Sequence, residues 1–232
     1  MELEEDAEIV TRLTALVQRY RSSPHVELEV RLGTRSATGT FVPGVDFEYS
    51  TALYKAMTDE ESVRQWSVKP DVANFRHMYF DGGLRGTYLP NGASHFVRIV
   101  REEDPVDAQC AIRPYGLRFG LKGENPAAPY QGVVPPSLVR VVTRVSFADG
   151  PWRYDFSKVG AGTTTEDACK VHSIHIELEL TRDNAFLSNT SDRMIAINML
   201  GKARDLLGRF DPGTREPNTL PLTMVHHDTN PS

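Results

Sequence analysis

The chain has 232 residues, a formal net charge of −5, 25% charged side chains and 40% hydrophobic ones, values that suit one soluble globular domain and no general basic surface for nucleic acid. Its two cysteines, Cys110 and Cys169, lack any metal-type spacing, which argues against a disulfide scaffold and a zinc site and fits a reducing compartment. No apolar run reaches the length of a membrane span, and the acidic start MELEEDAEIV is unlike a signal peptide, so an intracellular protein without membrane association is expected.

Ile9, Leu13, Leu16, Val17 and Tyr20 recur at helical spacing, predicting a helix over residues 3–21 that Ser22-Ser23-Pro24 ends. VELEV, residues 26–30, alternates strictly: Val26, Leu28 and Val30 face one way on a strand, Glu27 and Glu29 the other. A turn-rich segment and a short helix near Ala52–Met57 follow. Alternating runs at Val72–Phe80, Leu84–Tyr88, His95–Arg101, Gly116–Lys122, Leu138–Phe147, Trp152–Ser157 and Ile174–Leu180 predict strands, with Gly, Pro, Asn or Asp between most of them. About eight strands in meander order, helices at both ends, imply an α+β chain that is mainly antiparallel β: a closed barrel over about residues 25–182. A last helix follows Ser191 to about residue 208, with Met194, Ile197, Met199, Leu200 and Ala203 at its apolar positions. One domain over residues 1–210 results, with a polar tail over 211–232 that contains His226 and His227. Trp66 and Trp152 read as core residues.

Glu177 and Glu179, in HIELEL, repeat the E-x-E pattern of Glu27 and Glu29. A single such pair is ordinarily the wet face of a half-buried strand. In a closed barrel the four carboxylates can instead face the lumen, where mutual repulsion calls for a hard divalent cation such as Mg²⁺ or Mn²⁺. The strands between carry the complementary sign: Arg85, Arg98, Arg118, Lys122, Arg144, Arg153 and Lys158, several alternating with apolar residues. The plain alternative is a mixed-charge outer surface; a lumen lined by both signs would hold a metal with carboxylates and grip phosphates with Arg and Lys.

At these residues the sequence resembles the fungal- and viral-type RNA 5′-triphosphatases of the triphosphate tunnel metalloenzyme superfamily. VELEVRLG is similar to the family's first metal-binding strand, FVPGVDF to a viral-type segment after it, and GLRGTY to a strand with a phosphate-contacting arginine, here Arg85. GLRFGLKGENP resembles the strand ending in an essential glutamate, here Glu124; TRVSF resembles an R-x-S-aromatic strand and puts Arg144 on the phosphate. WRYDFSKV resembles an R-x-D-x-T strand, giving Arg153, Asp155 and Ser157, and HIELEL resembles the closing strand with its glutamates. Seven fragments stand in the family's order, over roughly residues 25–181. There are three departures: His175 stands where the family often has a glutamate, Val142 where it has a lysine, and Ser157 where it has a threonine. Arg140, Lys122 and Lys158 are the candidates to compensate.

The resemblance implies an mRNA-capping hydrolase that takes the γ-phosphate from 5′-triphosphate RNA and also accepts nucleoside triphosphates. Glu27, Glu29 and Glu179 are expected to bind Mn²⁺ or Mg²⁺; Arg85, Arg144, Arg98 and Lys158 to hold the triphosphate; and Glu124 to orient or deprotonate the attacking water. Arg118, Lys122, Arg153 and Ser157 are expected to contact substrate, with Asp155, Glu177 and His175 supporting them. No nucleotidyltransferase segment is evident, so a separate guanylyltransferase partner is expected, in nucleus or cytoplasm, or in a virion if the source is viral. Relatives that act on tripolyphosphate or thiamine triphosphate, or cyclise ATP, commonly carry E-x-E-x-K on the first strand; Arg31 followed by Leu-Gly favours the capping branch. A non-catalytic subunit of transcription machinery would not need carboxylates on both the first and last strands.

Overall fold

In the computed structural model, residues 2–59, 68–101, 105–109, 115–170 and 172–208 are described. Cys110, Trp66, His226, His227 and the tail expected over 211–232 lie outside them.

Helix α1 (Glu2–Ser22) leads into β1 (Val26–Arg35) and a short β2 (Phe41–Pro43). Helix α2 (Phe47–Thr58) starts earlier than the sequence suggests, because the Asp46 carboxylate accepts a hydrogen bond from the Tyr49 amide at 2.7 Å and caps it there. Then come β3 (Val68–Phe80), β4 (Leu84–Tyr88), β5 (Ser94–Arg101), β6 (Val106–Ala108), β7 (Gly116–Pro126), β8 (Leu138–Asp149), β9 (Trp152–Gly162), the turn-length helix α3 (Thr165–Ala168) and β10 (His172–Leu180). Helices α4 (Asn184–Asn189) and α5 (Asp192–Gly208) follow.

All strand pairs are antiparallel, in the order β2-β1-β10-β9-β8-β3-β4-β5-β7-β6, and a further pairing of β1 with β7 closes the sheet. Eight strands therefore form a closed barrel. The short β2 and β6 add to β1 and β7 at the end of the closing seam near Gly33 and Leu117, a collar over one mouth.

The principal hydrophobic core lies outside this cylinder. Leu28, Val30, Leu32, Phe119, Phe156, Ile176 and Leu178 point outward from the wall and pack with Leu13, Leu16 and Val17 of α1, Leu53 and Met57 of α2, and Met199 and Ala203 of α5. Each large apolar side chain so covered contributes about 1.5–3 kcal/mol, and Trp152 lies in this core as expected. Tyr20 fixes α1 to the last strand, its hydroxyl donating to the Leu180 carbonyl at 2.8 Å. Helix α5 presents a different stripe from the one expected: Ile195 and Ala196 are buried, while Met194 and Ile197 are exposed. The true seam, Ile195-Ala196-Met199-Leu200-Ala203, fits the 3.6-residue period better than the one beginning at Met194.

Because successive side chains on a strand alternate faces, burying the even-numbered residues of β1 under helices forces Glu27, Glu29 and Arg31 into the lumen. The same alternation turns charged residues of the other strands inward.

Candidate active site

Glu29 of β1 sits directly opposite Glu179 of β10, which sits opposite Arg153 of β9. One step along, Arg31 faces Glu177, which faces Asp155. Across the closing seam Glu27 pairs with Lys122 and Arg31 with Arg118. The acids of the first and last strands and the bases of β7 thus share one wall.

Every carboxylate in this wall is drawn to a cation. Arg31 bridges Glu29 at 2.6 Å and Glu177 at 3.0 Å. Lys122 donates to Glu27 at 3.1 Å and also pairs with Glu124, whose other oxygen takes a 2.7 Å contact from Arg85. Arg153 reaches Glu179 at 2.5 Å. Asp155, almost wholly buried, organises its neighbours: it accepts from Ser146 at 2.6 Å and Arg153 at 3.1 Å and pairs with Arg144 at 3.0 Å. Arg144 in turn donates to the Ser157 hydroxyl at 3.0 Å. His175 points inward with Glu177, its Nε2 2.8 Å from the Ser173 hydroxyl.

Burial sets the electrostatics. It pushes Glu29 up to about 7, against the pull of Arg31 and with the help of Glu177 and Glu27. It pushes Glu179 up to about 8, opposed by Arg153 and reinforced by Glu27, Asp155 and Glu29. Burial acts in the same sense on Glu124 and Glu177, but cations win there: Lys122 and Arg85 hold Glu124 below its usual range, and Arg31 and Arg144 hold Glu177 there.

Of the expected site residues, Glu27, Glu29, Arg85, Arg118, Lys122, Glu124, Arg144, Arg153, Asp155, Ser157, His175, Glu177 and Glu179 share the inner face. Two do not. Arg98 pairs with Leu84 and Asn125, one residue out of phase with Arg85 and Glu124, and donates to the Gly82 carbonyl on the outside. Lys158 has the parity of Phe156, which packs in the outer core, and pairs with Thr143 and Ile174 rather than with lumenal residues. The expectation that these two hold the triphosphate inside the lumen is corrected by register.

Arg31 and His77 also turn inward although the sequence reading gave them no role, and they are joined there by Arg140, expected only as a candidate to compensate, and by Val142, expected as a departure. Arg31 continues the alternation of Glu27 and Glu29, a signal that was available. Arg140 faces His77 and lies 5.4 Å over the Tyr79 ring; its Nε has no hydrogen-bond partner among the described residues. His77 bonds the Thr87 hydroxyl at 2.9 Å and is pushed down to about 3 by burial and by Arg85, Lys122 and Arg144. Strand NFRHMYF has aromatic or basic residues on both faces, so its inner face is not readable from the pattern. Val142 is buried on the inner wall opposite Phe75 and Val159, an apolar stripe where the family has a lysine.

The donor set suits a hard divalent cation: three carboxylates, Glu27, Glu29 and Glu179, of which the last two are raised by burial and by neighbouring carboxylates, Glu27 among them in both cases. Among the described residues no three acidic, histidine or cysteine side chains already converge as a ligand cluster. Their present partners are Lys122, Arg31 and Arg153, cations that an ion would replace.

A closed eight-stranded antiparallel cylinder with a charged interior and its apolar packing outside is the triphosphate tunnel fold. The fold is shared with the Pct1 RNA triphosphatase of S. pombe, at TM-score 0.71 and 14% identity over 89% of this chain and 93% of that one. The same protein solved in complex with the Spt5 CTD gives TM-score 0.72 at 14% identity over 89% and 94%. The RNA triphosphatase domain of a trifunctional mimivirus mRNA capping enzyme gives 0.56 at 13% identity over 86% and 95%. No family model matches the sequence, and no curated protein matches it. Among the described residues no helix is long and apolar enough to cross a membrane.

Proposed function

We propose that this tunnel hydrolyses the γ-phosphate of 5′-triphosphate RNA, leaving a diphosphate end for mRNA capping, with nucleoside triphosphates as secondary substrates. The observation that carries the reading is the direct opposition of Glu29 and Glu179 inside a closed cylinder whose remaining wall bears Arg85, Lys122 and Arg144. Likeness of fold to RNA triphosphatases supports it.

Glu27, Glu29 and Glu179 would hold Mn²⁺ or Mg²⁺, which supplies neutralisation of the charge that develops on the γ-phosphate oxygens. Arg85 and Arg144 grip the triphosphate, and positioning of this kind is the chief task in phosphoryl transfer. Arg31 and Arg140, on the inner wall, take the places on the triphosphate that were expected of Arg98 and Lys158. Glu124 stays ionised because Lys122 and Arg85 depress its pKa. It is therefore a weak base, suited to accepting a hydrogen bond from the attacking water and aiming it. Water oxygen bonds to the γ-phosphorus as the bridge to the β-phosphate breaks; the diphosphate end leaves with the bridging oxygen, one water proton stays on the released phosphate and the other passes to solvent. Asp155 keeps Arg144 and Arg153 aimed inward, a supporting role of the kind that outer ligands play around metals. The diphosphate end would pass to a separate guanylyltransferase, and we place the activity inside the cell or a virion.

Phosphate release from γ-labelled triphosphate RNA, inorganic tripolyphosphate and ATP, each with Mn²⁺, tests the reading. RNA is expected to have the highest kcat/KM. Release from tripolyphosphate alone would replace RNA triphosphatase with tripolyphosphatase.

A further inference from the structure

The two ends of the tunnel differ. One mouth, a cavity of about 290 Å³, is lined by Glu27, Glu124 and Glu179 together with Tyr20 and Arg182. Arg182 is committed to backbone carbonyls, donating to Tyr20 at 2.8 Å and Val26 at 2.9 Å. The carboxylates there are paired with Lys122, Arg85 and Arg153, so among its described lining residues this opening offers a polyanionic chain no uncommitted arginine or lysine.

The other mouth, about 360 Å³, lies under the collar and mixes apolar walls, Phe41, Pro43, Ile99 and Pro105, with Arg118, Arg31 and Lys122 and a single carboxylate, Glu29. Its volume falls in the range of small-ligand sites. Arg118 is held here in an unusual way. Asp107 takes both ends of its guanidinium fork, Nε at 2.7 Å and the terminal nitrogen at 2.8 Å, and the oxygen that holds the terminal nitrogen also accepts from Arg35 at 2.8 Å. One face of the guanidinium lies 4.5 Å over the Phe41 ring. The ring fits there because Gly33 has no side chain: a Cβ would come within 2.6 Å of it. A guanidinium whose charge is matched and whose plane is pinned is a poor grip for phosphate and a good platform for a flat ring.

We propose that this collar binds the base of the first transcribed nucleotide, stacked on the Arg118 plane, so that the RNA chain leaves through the β2–β6 mouth and the acidic mouth admits water. The assignment rests on the triphosphatase reading above and names the part of its substrate outside the triphosphate.

Triphosphate-ended RNA carrying 4-thiouridine as its first nucleotide, photo-crosslinked to the full chain with Mn²⁺ present, tests it directly. Label is expected on peptides containing Phe41–Pro43, Pro105–Gln109 or Arg118. Label on Tyr20–Glu27 or Glu179–Arg182, or no label, overturns the assignment. In parallel, the ratio of kcat/KM for triphosphate RNA to that for inorganic tripolyphosphate should fall about tenfold, or 1.4 kcal/mol, in Phe41→Ala and in Arg118→Lys, which keeps the charge and loses the plane. Phe41→Leu, which preserves the apolar packing, serves if Phe41→Ala fails to fold. An unchanged ratio with RNA still hydrolysed overturns the collar alone. No release from RNA by the unmodified chain removes the triphosphatase reading and the collar with it.

Discussion

Removing the Glu124 side chain takes a partner from two lumenal cations at once. Arg85 is only 9% exposed; a terminal nitrogen of its guanidinium makes the 2.7 Å contact to Glu124, and its Nε has no hydrogen-bond partner among the described residues. Lys122 keeps Glu27 at 3.1 Å, so most of the damage falls on Arg85. Stripping one partner from a buried pair costs about 3–5 kcal/mol, and access of water to the lumen puts Glu124→Ala near the lower end, about 3 kcal/mol. Glu124→Gln keeps an acceptor and should cost about 1–2 kcal/mol. Urea denaturation of the metal-free protein at pH 7.5 reads both, and Arg85→Met combined with Glu124→Gln should cost less than the sum of the two single changes. Both Glu124 variants should also lower kcat about a hundredfold, the scale seen when one oriented polar group is lost from a transition state. A Glu124→Ala protein no less stable than one changed at the exposed Glu8, or with undiminished kcat, would refute this account of the Arg85–Glu124–Lys122 cluster.

Three further outcomes follow from the same geometry. His77 is neutral in the fold, pushed down to about 3, whereas an unfolded histidine takes a proton near 6.5. The unfolded state therefore gains protons first, and stability should fall as pH drops from about 6.5 toward 3 at up to about 1.4 kcal/mol per unit; the urea midpoint of His77→Gln should show a flatter slope across that window, and an identical slope would deny His77 the role. Mn²⁺ at about a hundred times its dissociation constant should stabilise the chain by about 2.7 kcal/mol, a gain that EDTA reverses and that calorimetry should find missing in Glu27→Gln and Glu179→Gln. Tyr20→Phe removes the hydroxyl that holds α1 to Leu180 and should lower stability by about 1 kcal/mol, with phosphate release nearly unchanged; a larger loss of activity than of stability would show that α1 shapes the acidic mouth.

The strands were legible because their alternation is strong, and the inner carboxylates because E-x-E appears on the first and the last of them. Which face of a strand turns inward was legible only where one parity is uniformly apolar. In VELEVRLG it is, and the same rule extended one step reaches Arg31. In WRYDFSKV the outer set Trp152, Tyr154 and Phe156 assigns Lys158 to the outside, so its misplacement was a failure to carry the period through. HFVRIV gives no such guidance: its inner residues Val97 and Ile99 are apolar, and Arg98 is the polar outer one, the reverse of β1. The collar was invisible because β2 and β6 have three residues each, too few for a period, and because the clamp on Arg118 joins Asp107 and Phe41 through pairings that sequence distance hides.

Carboxylates from the two terminal strands of the barrel would share an ion inside it. Anomalous diffraction from crystals grown with Mn²⁺ measures this most directly. A peak is expected in the lumen between Glu27, Glu29 and Glu179, lost in Glu179→Gln; a protein that releases phosphate from RNA with its manganese bound elsewhere, or with none in the lumen, would overturn the shared ion.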